Sequence, residues 1–198
     1  ASRNVADGQS LVDTAEGALQ ETHTLLLRMR EIGVQAANGT LSTSDNQALD
    51  AEFQQLVKEI DRIAQNTTWA GAALLNGDAA GAEDSTATFS FQAGVGNNSG
   101  ADVFSVTIKD ASAFDLGVRA YTATGANSST TNLNQTEGPD PVTDDANYVT
   151  TNDVNLLSQS SAQTAIGLVD TAIATVSSER ANLGAVSNRM ASTMANLD

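Results

Sequence analysis

Near both ends of this chain, apolar and small residues recur at alternating steps of three and four, and that rhythm constrains the fold more than any other feature. From Val5 the row runs through Gly8, Val12, Ala15, Leu19, Thr22, Leu26, Met29, Gly33 and Ala36, the spacing of a coiled-coil seam. A parallel row of Leu11, Ala18, Leu25 and Ile32 widens it. One helix of about 35 residues follows, ending where Asn38-Gly39 offers a left-handed stop. Gly8 and Gly33 within the row predict close approach of a partner helix.

The same rhythm continues in Leu49, Phe53, Leu56, Ile60 and Ile63. It predicts a second helix capped by Ser44 or Asp45 and ending in the polar run Gln65-Asn66-Thr67-Thr68. At the far end, Ile166, Val169, Ile173, Val176, Arg180, Leu183, Ser187, Met190, Met194 and Leu197 mark a third, long helix starting near Asp153. Between the helices, "ATFSFQAG" and "DVFSVTIKD" alternate apolar and polar residues around a Gly- and Asn-rich stretch, the pattern of a β-hairpin. From about Tyr121 to Thr151 the chain turns to Thr, Asn, Ser, Asp and Gly and holds both prolines, so it has too little apolar surface for a core of its own.

The expected fold is therefore mainly α with a small β part. It is an elongated rod of long antiparallel helices in a coiled-coil-like bundle, plus a β-hairpin and a polar outer insertion. Residues 1–119 supply two helices and the hairpin, residues 120–152 a variable surface-exposed insertion, and residues 153–198 the returning long helix.

Charge excludes several functions. Twenty-four acidic residues against nine basic ones leave a net charge of -15, which opposes phosphate backbones and anionic membrane surfaces. No apolar run reaches the roughly 18 residues that span a bilayer, so no membrane insertion is expected. The absence of cysteine removes disulfides, thiolate metal sites and a cysteine nucleophile together. The opening "ASRNVADG" has neither Met nor a signal-peptide pattern and reads as the start of an excised piece.

The lone His23 lacks the companions that metal ligation or base catalysis requires. Glu137, Asp140, Asp144, Asp145 and Asp153 lack EF-hand spacing and read as solvated loop charge. Gly94-Val95-Gly96 precedes a strand, not a phosphate-cradling helix. Arg180 in a seam position calls for a carboxylate on a neighbouring helix. No catalytic residue, metal or cofactor is expected.

Within "LLLRMREIGVQAANGT" (Leu25 to Thr40), a helical wheel turns Arg28, Glu31 and Gln35 away from Leu26, Met29 and Gly33. These charges fit an ordinary solvated face carrying an Arg28–Glu31 pair. They also fit a contact surface, because Leu27 sets an apolar residue beside an arginine.

Three blocks in order, "ASRNVADGQSLVDTAEGALQETHTLLLRMREIGVQAANGT", "EIDRIAQNTTWAGAALLNG" and "RANLGAVSNRM", closely resemble bacterial flagellin. The likeness covers about Ala1 to Gly77 and Ala162 to Asp198, and more loosely the hairpin. It implies a D1 core fragment whose D0 terminal helices are missing and which alone stays monomeric. It implies a structural subunit, exported by the flagellar type III apparatus, that assembles with other flagellin subunits into the extracellular filament for motility. In the family the "RxRE" region faces neighbouring subunits and is read by the host Toll-like flagellin receptor. Arg28, Arg30, Glu31, Ile32 and Gln35 match it position by position, with Leu27 alongside and Glu59 on the second helix as a weaker candidate. Arg28, Glu31 and Gln35 are the foremost exposed contacts, while Arg30 partly packs inside the bundle. The insertion is expected to carry surface glycan on its Ser and Thr residues.

The rival is a flagellin-like cell-surface binding module, an adhesin or polysaccharide-binding protein using Trp69, Tyr121 and Tyr148. Two scattered tyrosines make no stacking platform, and Trp69 reads as a packing residue.

Overall fold

The computed structural model describes residues 2–76, 86–94, 103–119 and 154–197. The expected insertion at 120–152, its acidic cluster, Val95-Gly96, Tyr121 and Tyr148 lie outside the described residues. Among the described residues there are three helices, α1 (Ser2–Ala36), α2 (Thr43–Asn66) and α3 (Gln159–Leu197), and between them four strands, β1 (Thr68–Trp69), β2 (Ala72–Ala73), β3 (Thr86–Gln92) and β4 (Val103–Lys109).

All ten residues of the first α1 row, from Val5 to Ala36, are buried. They pack against α3, which runs antiparallel: Gly8 lies by Met190, Glu16 by Arg180 and Gly33 by Ile166. The two seam glycines are there for closeness. A Cβ on Gly8 would stand 2.9 Å from the Met190 terminal methyl and 3.2 Å from the Phe91 ring, and one on Gly33 would stand 3.0 Å from Ile166.

On α3 the buried stripe is Ala162, Ala165, Val169, Ala172, Val176, Glu179, Leu183 and Met190. Ile166, Ile173, Arg180 and Ser187, expected at its centre, are only half-buried and sit along its edge. Ala162, Ala165 and Ala172 are its small members, while the α1 glycines leave room for large side chains, Gly8 for Met190 and Gly33 for the half-buried Ile166. Arg180 reaches Glu16 on α1 at 3.6 Å, the interhelical partner its position calls for.

The helix ends differ from expectation. α1 stops at Ala36 without a left-handed residue: Ala37 N–H bonds to Gly33 O at 2.9 Å, Asn38 N–H to Gln35 O at 3.1 Å, and the Asn38 side chain accepts from Thr40. Gly39 keeps negative φ, and among the described residues only Ala70, Gly71 and Gly117 have positive φ. The cap of α2 is Ser42, not Ser44 or Asp45. Asp45 is instead the third helical residue and closes a capping box with Ser42. α3 begins at Gln159 rather than near Asp153, because Leu156 N–H bonds to Asp50 Oδ1 and Val154 O to Gln54 Nε2, both at 2.9 Å. Those bonds to α2 hold the approach extended until the Ser158 hydroxyl accepts from Ser161 N–H.

The hairpin forms as expected, β3 and β4 pairing antiparallel from Thr86↔Lys109 to Gln92↔Val103. Phe104, Val106 and Ile108 are buried and Phe89 and Phe91 pack against the same core. On the outer face the hydroxyls of Thr88 and Thr107 meet at 3.2 Å and those of Ser90 and Ser105 at 3.3 Å. Asn4 of α1 donates to Gln92 O at 3.0 Å, and Glu179 of α3 accepts from Lys109 N–H at 3.1 Å. Because Arg180 faces Glu16, those two anchors stand about 12 helical residues, or about 18 Å, apart along the helix pair. A seven-residue strand spans about 20 Å, so the hairpin lies lengthwise on α1 and α3. α2 covers the other half of α1, through Arg28–Glu52 and the Glu21, Leu25, Glu59 and Ile63 groove. Hairpin and α2 thus cover successive parts of α1, the hairpin resting on α3 as well.

Candidate functional site

The arginine-rich stretch of α1 is divided among three directions by the helical repeat. Arg28 leans toward α2: its Nε and Nη2 donate to Glu52 Oε1 at 3.0 and 2.8 Å, and its Nη1 donates to Glu31 Oε2 at 3.1 Å. These bonds, Glu52 first and Glu31 next, hold the guanidinium above its ordinary pKa. Arg30 leans the other way, its Nε donating to Asp170 of α3 at 2.7 Å. It is half-exposed and straddles the α1–α3 edge instead of packing inside the bundle.

The crest between the two arginines is covered by no other element among the described residues. Leu27 is 44% exposed and Val34, one heptad on, 52% exposed, with Glu31 between them and Gln35 beside them, both exposed. Ile32, a candidate contact, is 1% exposed. Its turn of the helix points into the core, so it can act on this surface only by supporting it.

Glu59 lies in the shallow α1–α2 groove with Glu21, Thr24, Leu25 and Ile63. It is half-buried and bonded twice by Arg62, which holds its carboxyl below the usual carboxylate range, while the same bonds raise Arg62. The site therefore offers paired charges flanking an apolar crest. Among the described residues no three His, Cys, Asp or Glu side chains are grouped to hold a metal, and no helix is long and apolar enough to cross a membrane. Trp69 meets the Phe91 ring edge-on, with centroids 6.2 Å apart, and serves packing.

Two members of this surface escape sequence reasoning. Glu52 precedes the seam residue Phe53 and looks like any solvated acid until α2 is laid on α1. Val34 breaks no periodicity rule, and only the seven-residue step from Leu27 hints that the two share a stripe.

Comparison with known proteins adds independent information. The sequence model for the bacterial flagellin N-terminal helical region matches residues 1–80, and that for the bacterial flagellin C-terminal helical region matches residues 166–198. The flagellin of Halalkalibacterium halodurans is 38% identical across 100% of this chain and 58% of its own length. That of Bacillus subtilis is 39% identical across 100% of this chain and 62% of its own. Flagellin D of Vibrio anguillarum is 30% identical across 99% of this chain and 68% of its own. The chain thus spans about three fifths of the first two relatives. The crystal structure of Bacillus cereus flagellin superposes with a TM-score of 0.69 at 29% identity, over 99% of this chain and 89% of that one.

Proposed function

Because this chain belongs to the bacterial flagellin family, we propose that it is the rod-forming part of a structural subunit that polymerises with its own copies into the extracellular flagellar filament and so serves swimming. The family is structural, not enzymatic. The observation that carries the reading is the long antiparallel α1–α3 pair, whose buried rows run nearly the length of both helices, with the Leu27–Val34 crest exposed among the described residues. An apolar crest bordered by charges suits repeated contact between identical neighbours, the apolar part contributing area and the charges register.

Leu27, Arg28, Arg30, Glu31, Gln35 and Glu59 are the direct contacts in this proposal, with Ile32 acting through its packing. Residues 1–119 and 153–198 form the rod and residues 120–152 the outward, glycan-bearing piece. Export runs through the flagellar type III apparatus, and the host Toll-like flagellin receptor reads the Arg28–Gln35 face. The test is electron microscopy and motility of a strain lacking the gene for the full-length protein. Loss of filaments and of swimming supports the subunit role, and unchanged filaments with the protein still on the cell surface overturn it. For the receptor, the response to the chain is expected to fall with Arg28→Ala. An unchanged response from a folded variant removes Arg28 from that contact.

A further inference from the structure

The loop after α1 carries one of the two Asn-Gly pairs in the sequence, Asn38-Gly39, and both of its residues are exposed. α1 ends at Ala36, so the Gly39 N–H lies outside the helical bond ladder, and it forms no hydrogen bond among the described residues. The Asn38 side-chain oxygen, by contrast, is doubly held: Oδ1 accepts from the Thr40 N–H at 3.3 Å and from the Thr40 hydroxyl at 3.1 Å. The first of these bonds closes a small ring, an Asx turn, that contains both Asn38 Cγ and the Gly39 nitrogen. Asn66 is the contrast. Its side chain donates to Arg62 O at 2.7 Å, and the Thr67 N–H that follows it is bonded to Ile63 O at 3.0 Å. Asn182 and Asn188 lie inside α3, where the next N–H is bonded to the carbonyl four residues back.

We propose that Asn38-Gly39 is a self-modifying site, at which the folded chain converts asparagine to aspartate and isoaspartate without an enzyme. The Gly39 nitrogen gives its proton to hydroxide and bonds to Asn38 Cγ, and the carbonyl electron pair moves onto Oδ1. When that pair returns, the bond to Nδ2 breaks and ammonia leaves, its third hydrogen supplied by water, which regenerates the hydroxide. The product is a cyclic imide across positions 38 and 39. Water then opens it at one of two carbonyls, leaving either an aspartate on the original main chain or an isoaspartate, whose main chain runs through the side-chain carbon.

Two features of the loop favour the step. Gly39 has no Cβ to shield its nitrogen from the approaching carbon. Oδ1 is the atom that gains charge, and Thr40 already aims two donors at it, the arrangement that stabilises an oxyanion. Both products disturb the α1–α2 turn. A new carboxylate stands just beyond the C-terminal end of α1, where the helix dipole disfavours negative charge. The isoaspartate also lengthens the main chain beside Asn38 O, which accepts the Leu41 N–H at 3.3 Å. This inference concerns the single chain and is independent of the filament reading.

The experiment is peptide mass spectrometry of the 198-residue chain after incubation in mildly alkaline buffer, folded and in denaturing urea, with isoaspartate scored by its methyltransferase. The peptide holding Asn38 is expected to gain the mass of deamidation and to contain isoaspartate, at least as fast folded as in urea, while Asn66 stays intact in the folded chain. Thr40→Val removes the hydroxyl donor and is expected to slow the folded chain several-fold without changing the rate in urea. Gly39→Ala is expected to slow both by about tenfold, since the methyl group shields the nitrogen. Its Cβ would stand 3.8 Å from the Gln159 side chain, an ordinary contact, so the fold accepts it. The other pair, Asn76-Gly77, has its glycine outside the described residues and is scored as a separate peptide. A folded chain that is much slower than the chain in urea overturns the proposal, as does a product without isoaspartate or a folded Thr40→Val variant that reacts at the unchanged rate. Should a variant fail to fold, the comparison of the unmodified chain folded and in urea decides alone.

Discussion

Ala70 carries the one unfavourable backbone choice among the described non-glycine residues. It sits at φ 50°, followed by Gly71 at φ 86°, in the two-residue turn that joins β1 to β2. Both central positions of such a turn need positive φ, and an L-residue with a Cβ there costs about 1 kcal/mol. Asparagine tolerates that region, so Ala70→Asn is expected to stabilise the chain by about 0.5–1 kcal/mol. The measurement is the denaturant midpoint at unchanged slope. Asp110 is a second residue-scale case: burial pushes its carboxyl above the usual value, opposed by the Ser112 N–H bond and helped by the Asp115 charge. A raised carboxyl binds its proton more tightly when folded, so stability declines as pH rises between the unfolded and folded values. Asp110→Asn is expected to raise neutral-pH stability and to remove that slope, seen by comparing melting temperatures at neutral and acidic pH.

Among the elements, the helices were legible and their boundaries less so. Every residue of the α1 row is buried because large aliphatics and glycines announce a seam at any distance from their partner. The α3 stripe was harder to place, because alanine is common on exposed helix faces too, and Ala162, Ala165 and Ala172 declare their burial only once α3 is laid on α1. The start of α2 was ambiguous for a similar reason. Ser42-Thr43-Ser44-Asp45 offers several candidate caps, and the structure selects the one that lets Asp45 bond back to Ser42 N–H from the first turn. Those Ser42 bonds hold Asp45 below its ordinary value, a contribution present at neutral pH and lost as pH falls through that lowered value. Ser42→Ala is expected to cost about 1 kcal/mol, read by chemical denaturation. The start of α3 was not legible at all, since it depends on Asp50 and Gln54, about a hundred positions away in the chain.

At the scale of the whole molecule, the proposed assembly rests on surface chemistry rather than on the core. Arg28 and Glu31 were readable as outward-facing, whereas the split between Arg28 toward α2 and Arg30 toward α3 required both partners in place. In the full-length protein, replacing Leu27 and Val34 together with aspartate is expected to leave the helical content unchanged and abolish polymerisation. Circular dichroism and electron microscopy check the two halves of that statement, and normal filaments from the variant would show that the crest is not a subunit contact.

The antiparallel seam also sets how the rod responds to force. The start of α1 and the end of α3 lie at the same end, so opposed pulling at those two points loads the bonded pairs one at a time: Gln9–Ser187, then Glu16–Arg180, then Arg30–Asp170. Pulling at the start of α1 against the start of α3 loads all of them in shear at once. The same molecule is therefore a zipper in one direction and a cable in the other, and single-molecule stretching through those two pairs of attachment points will register two very different rupture forces.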